Sequence, residues 1–110
     1  MNEQMQLISI GGSQSVRILL ENSRQIVIGR SRECDVVTES PQTSRQHAQI
    51  IWQPTNQSWM LTDLGSRSGT QLNGEEIPSG LPCALRPGDR IGLPELVLQY
   101  RSKDNHDSFG

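Results

Sequence analysis

The chain has 110 residues, the size of one ordinary domain and too few for two. Apolar residues make up 33 % of it and aromatics 4 %, which is lean for a helical bundle but workable for two thin sheets face to face. A net charge of −2 provides no global field toward nucleic acid, and no segment approaches the roughly 18 apolar residues of a membrane span, so neither partner is expected.

Helical periodicity is absent along the chain. Short apolar or alternating runs recur at intervals of about 8–12 residues, punctuated by many of the ten Gly and six Pro, and this predicts an all-β fold. In chain order, strands are expected at 5–10, 15–20, 25–29, 35–38, 47–53, 58–63, 70–72, 75–76, 82–84, 89–92 and 96–101. Gly11–Gly12, Glu21–Asn22–Ser23, Pro54–Thr55–Asn56, Asn73–Gly74 and Pro87–Gly88–Asp89 read as the breakers between them. Asn73–Gly74 is the clearest, because both residues tolerate the positive φ that a two-residue hairpin turn requires. Alternation at period two puts Ile8 and Ile10, Ile18 and Leu20, Ile26 and Ile28, Ile50 and Trp52, Trp59 and Leu61, Ile91 and Leu93, and Leu96 and Leu98 in the core. The expected domain is 1–101, followed by a polar tail or linker at 102–110 that leaves room for further domains of a longer parent chain.

Cys34 and Cys83 sit in no metal-ligand spacing, so neither zinc nor any other cofactor is expected. A single disulfide between them stays open, although two separate small residues in packed sites is the simpler account. The apolar run at 6–10 is too short for a secretory leader and has no basic region before it, and a reducing, cytoplasmic setting is the expectation.

Two connections, 30–33 and 39–45, are longer than turns need to be and 66–69 forms a third loop, and long loops on a rigid sandwich usually carry binding function. They hold Arg30 and Arg32, then Arg45, then Arg67. The ten basic residues are nine Arg and Lys103, and Arg offers the planar fork of donors that fits phosphate. Gly29 ends an apolar strand directly before Arg30, which lets another backbone come close and frees Arg30 to project over the sheet edge. Ser44, Arg45 and His47 gather a hydroxyl, a guanidinium and an imidazole within four residues, and Ser66, Arg67, Ser68 and Gly69 add more hydroxyls at a sharp turn. Arginines and Ser hydroxyls converging on one point would make a phosphate site. His47 reads as a buried hydrogen-bonding brace, since no Asp or Cys is spaced to complete a triad or a metal site, and Asp63 reads as an acceptor of turn amides. With no nucleophile–base pair, no metal cluster and no phosphate-cradling Gly loop, the chain is not expected to be an enzyme.

In order and spacing, Gly29–Arg30, Ser44–Arg45–Gln46–His47 and Asp63 to Gly74 resemble the three signature blocks of forkhead-associated (FHA) domains, and Glu33–Cys34–Asp35–Val36 is similar to the family's entry into its next strand. The resemblance covers about residues 5–101. It implies a two-sheet β-sandwich of roughly eleven mostly antiparallel strands, with apical loops that hold a phosphothreonine-containing protein segment for signalling or recruitment. Carried over, Arg30 is the main phosphate ligand, Ser44 donates a hydroxyl to phosphate, and Arg45 is a second cationic contact. Arg67 and Ser68 face the peptide, while Gly29, His47, Ser66, Gly69 and Asn73 support the site. Ser68 departs from the family's frequent Asn, and a hydroxyl offers fewer simultaneous bonds than an amide. The alternative within the resemblance is an FHA-like scaffold that binds its partners without phosphate.

Overall fold

The computed structural model describes residues 4–21 and 24–103. All regular structure is β: β1 (Met5–Gly12), β2 (Arg17–Leu19), β3 (Ile26–Gly29), β4 (Val36–Val37), β5 (Ala48–Gln53), β6 (Ser58–Asp63), β7 (Gln71–Leu72), β8 (Glu75–Glu76), β9 (Cys83–Ala84), β10 (Arg90–Leu93) and β11 (Leu96–Ser102). A six-stranded sheet runs β2-β1-β11-β10-β7-β8, and a five-stranded sheet runs β4-β3-β5-β6-β9. Every strand pair is antiparallel except β3 with β4, which lie parallel with Ile28 opposite Val36. The fold is therefore the expected sandwich.

Period-two alternation explains the core between the sheets. Ile26, Ile28, Ile50 and Leu61 of one sheet face Leu7, Ile91, Leu96 and Leu98 of the other, and all are fully or almost fully buried. Trp52 and Trp59 stand opposite each other on β5 and β6 and meet edge to face, with centroids 5.5 Å apart. Cys34 and Cys83 are both free thiols.

Two expectations on β1 need correction. The core-facing residues are Met5 and Leu7, whereas Ile8 is half-buried and Ile10 is 47 % exposed. Both parities of this strand are apolar, so alternation alone could not choose between them. Gly11 and Gly12 also continue the strand rather than break it, pairing with Val97 and Leu96 after a bulge between Ser9 and Gly11. At the other terminus β11 carries its pairing on to Ser102, and the Lys103 amide donates to the Gln4 carbonyl. The remainder of the expected tail, 104–110, lies outside the described residues, as do Asn22 and Ser23 of the second expected turn.

Asn73 and Gly74 form the hairpin between β7 and β8 with φ of 55° and 90°. The Asn73 amide group donates to Asp89 and accepts from the Arg90 amide, so it braces the hairpin against β10. The three long connections, β3 to β4, β4 to β5 and β6 to β7, are brought together at one end of the sandwich by the bonds described next.

Candidate phosphate-binding site

The site begins with a missing side chain. A Cβ on Gly29 would stand 2.1 Å from the Arg45 carbonyl oxygen, so only glycine lets the β4–β5 connection settle against the end of β3. The same carbonyl accepts the Ser31 amide at 3.1 Å and the Cys34 thiol at 3.1 Å. Burial pushes the Cys34 thiol above its ordinary value, which keeps it in the protonated form that donates. One residue earlier, the Arg30 amide donates to the Ser44 carbonyl at 3.0 Å.

Arg30 is exposed, and its Nε donates to the Thr43 carbonyl at 3.0 Å. That bond fixes the plane of the guanidinium. Its two terminal nitrogens have no hydrogen-bond partner among the described residues and remain available for an anion. Ser44 connects the second loop to the third, because its Oγ accepts the Arg67 amide at 2.9 Å and leaves the hydroxyl proton to donate elsewhere.

His47 holds these pieces in register. It is completely buried, and each of its four polar groups is used. Its amide donates to Ile28 and its carbonyl accepts from Leu64. On the ring, Nδ1 accepts the Ser44 amide at 3.1 Å and Nε2 meets the Gly69 carbonyl at 2.8 Å. A backbone donor at one nitrogen and a backbone acceptor at the other define the neutral tautomer with its proton on Nε2. His47 is therefore a brace spanning β3, the β4–β5 loop and the β6–β7 loop.

Asp63, at the end of β6, shapes the third loop from below and is only 2 % exposed. One carboxylate oxygen accepts the Ser66 and Thr70 hydroxyls at 2.5 and 2.7 Å, and the other accepts the Gly65 and Ser66 amides at 3.1 Å each. Burial pushes the Asp63 carboxyl up, but the Ser66, Thr70 and Ser79 hydroxyls and the Ser66 amide outweigh it and hold the group below the usual carboxylate range. The Ser66 hydroxyl also accepts the Gly69 amide at 2.9 Å, which completes the turn.

Together these bonds form an open cleft of about 200 Å³ lined by Arg30, Pro41, Gln42, Thr43, Ser44, Arg45 and Arg67. Three arginines and two hydroxyl-bearing residues, Thr43 and Ser44, line it, with no carboxylate. Of the residues singled out in the sequence, Arg30, Ser44, Arg45 and Arg67 meet here, and Gly29, His47, Ser66 and Gly69 hold them in place. Arg32 shares the first loop but does not line the cleft. Ser68 lies next door. Its hydroxyl donates to the Gln42 carbonyl at 2.7 Å, and it lines an adjoining cleft of about 310 Å³ with Gly69, Gln71, Gly92, Leu93, Pro94 and Val97. Asn73 braces its hairpin from outside both clefts.

Several participants carried no signal in the sequence. Thr43 acts through its carbonyl and Gln42 through its backbone, which any residue type could supply. Gln14 is a third case: its amide group donates to the Val37 carbonyl at 2.9 Å and accepts the Glu39 amide at 3.1 Å, tying the β1–β2 loop to the start of the second connection.

Comparison with known proteins identifies the family and matches the fold. The family model for the FHA domain matches residues 26–94, well over half of the chain. Protein phosphatase 2C 70 of Arabidopsis thaliana is 32 % identical over 109 residues, covering 92 % of this chain and 19 % of that protein. Mediator of DNA damage checkpoint protein 1 of Mus musculus is 35 % identical over 80 residues, covering 71 % of this chain and 5 % of that protein. The chain thus spans about a fifth or less of the length of these two curated relatives. A solved structure from work on phosphothreonine-dependent FHA domain interactions superposes with a TM-score of 0.75 at 26 % identity, over 89 % of this chain and 95 % of that one.

Proposed function

The chain belongs to the FHA domain family, and from that membership we propose that its apical cleft reads phosphothreonine in a partner protein. The observation that carries the reading is the convergence of Arg30, Ser44, Arg45 and Arg67 from three separate connections on one cleft without a carboxylate. In this reading the terminal nitrogens of Arg30 take two phosphate oxygens, the Ser44 hydroxyl donates to a third, and Arg45 and Arg67 supply positive charge around the phosphopeptide. FHA domains are themselves a standing example of phospho-motif recognition through Arg, and the solved structure of similar shape comes from phosphothreonine-dependent interactions.

Hydrogen bonds to a charged group contribute about 1.5–3 kcal/mol each. Three or four of them, offset by the cost of ordering an extended peptide, leave roughly −7 to −9 kcal/mol, which is about micromolar affinity. A phosphate carries about −1.5 to −2 charges at neutral pH against one for a carboxylate, so an acidic mimic binds poorly. The reading is of an interaction module rather than an enzyme. The Ser44 hydroxyl faces a backbone amide instead of a base, and His47 is buried with both ring nitrogens engaged. The length of the curated relatives supports further domains in a parent chain.

The test is a phosphothreonine peptide library titrated beside matched phosphoserine and unphosphorylated peptides. Micromolar binding confined to the phosphothreonine set is expected. Equal binding to the unphosphorylated peptides would instead establish the phosphate-independent scaffold.

A further inference from the structure

The outer face of the six-stranded sheet carries a second surface that the phosphate cleft does not use. Strand register brings its residues together: Arg17, Ile8, Gln99 and Arg90 stand side by side across β2, β1, β11 and β10. In the next row, Leu19, Gln6 and Arg101 stand across β2, β1 and β11. Since side chains alternate between faces, these residues point away from the core that Leu7, Ile91 and Leu98 fill.

Three features set the face apart. Neither row contains a carboxylate, and the Arg24–Asp35 ion pair lies away from them, beside β3 of the other sheet. In a chain of net charge −2, three Arg in two adjacent rows are a local excess of positive charge. Secondly, aliphatic side chains stand among the arginines: Ile8 and Leu19 are only half-buried, and Ile8 lines a shallow cleft of about 340 Å³ with Ser9, Ser15, Val16 and Arg17. Thirdly, the β1 bulge leaves Ile10 without a cross-strand partner between Ser9 and Gly11, and 47 % of its surface is exposed. Bulges re-aim side chains at functional edges, and this one leaves an exposed aliphatic side chain two residues along β1 from Ile8.

We propose that this face docks an acidic, aliphatic-containing segment of a partner protein, with carboxylates against Arg17, Arg90 and Arg101 and an aliphatic side chain over Ile8 and Ile10. Charge complementarity selects the acid, and the accessible Ile8, Ile10 and Leu19 select a peptide over a nucleic acid, which would need stacking aromatics or a continuous basic stripe. The surface is separate from the phosphate cleft, because none of its residues lines that cleft.

The probe is a fluorescein-labelled, unphosphorylated peptide of Glu–Glu–Leu repeats, followed by fluorescence anisotropy with the full chain at low and high salt. Saturable binding is expected, weakening as salt rises. The double variant Arg17→Glu/Arg90→Glu should weaken it by roughly tenfold or more, and Ile10→Ser should weaken it too. Arg30→Ala should leave it unchanged, while Arg17→Glu/Arg90→Glu leaves phosphothreonine-peptide affinity unchanged. The proposal is overturned if the wild type does not bind the probe, if the double variant and Ile10→Ser bind like wild type, if Arg30→Ala abolishes binding, or if a single-stranded oligonucleotide binds as tightly as the peptide.

Discussion

The Arg45 carbonyl oxygen occupies the space in which a side chain on Gly29 would have to stand, 2.1 Å from the position of such a Cβ. The strand end and the second loop are therefore fitted to each other at the level of the main chain. In Gly29→Ala one of them must move, at an overpacking cost of about 1–3 kcal/mol or more. Urea denaturation should show the loss, and phosphothreonine-peptide binding should fall with it, because Ser44 and Arg45 ride on the displaced segment. A variant with wild-type stability and affinity would show that this contact does not shape the site.

Arg30→Ala separates binding from folding. Its side chain makes a single structural bond, the part-buried Nε contact to the Thr43 carbonyl, so the melting temperature should fall only modestly. Losing two charge-assisted bonds of about 1.5–3 kcal/mol each predicts a drop in affinity of at least a hundredfold by titration calorimetry. Arg30→Lys should restore only part of it, since an ammonium cannot present two parallel donors. If wild type and Arg30→Ala bind alike, the cleft is not the phosphate site.

His47→Ala tests the brace. It strands the part-buried Ser44 amide and Gly69 carbonyl, at about 1–3 kcal/mol for each unsatisfied group, and opens a cavity besides. A loss of roughly 3–5 kcal/mol in urea denaturation is expected. A loss below about 1 kcal/mol would mean that water replaces the ring without cost.

Asp63 gives the fold a defined response to acid. Its carboxyl is held below the usual range in the folded chain, so its contribution is fully present above the unfolded value of about 3.9 and is lost as pH falls through the folded value. In that window the unfolded chain binds more protons, and stability rises with pH. Asp63→Asn should be less stable at pH 7 and show a shallower decline below about pH 4. Asp35, lowered chiefly by the Val27 amide and further by Arg24, supplies a residual slope in both proteins. Identical slopes would remove Asp63 from the account.

Much of this structure was legible in the sequence, since period-two alternation and turn chemistry are local. Each expected strand has a counterpart in the sandwich, and Asn73–Gly74 forms the expected hairpin. The brace role expected of His47 and the amide-accepting role expected of Asp63 match the observed bonds, although the two hydroxyls that Asp63 also accepts were not foreseen. What failed was what depends on partners distant in the chain. The choice between Ile8 and Leu7 as the inward residue is made by the opposite sheet, and Gly11–Gly12 stays in a strand because β11 lies beside it. Thr43 and Gln42 contribute main-chain carbonyls, to which side-chain identity gives no clue. The Ser68 hydroxyl is taken up by one of those carbonyls, a pairing between loops that no local pattern encodes.

The cross-links among Ser44, His47, Arg67 and Gly69 run within the chain and draw on no group from a ligand. On the proposed function, these internal bonds would hold the cleft in shape for a phosphorylated segment, and capture would not have to wait for chain rearrangement. With micromolar affinity and an ordinary encounter rate of about 10⁶–10⁷ per molar per second, residence would last on the order of a second or less. Occupancy of the domain would then track the rise and decay of kinase output almost without delay.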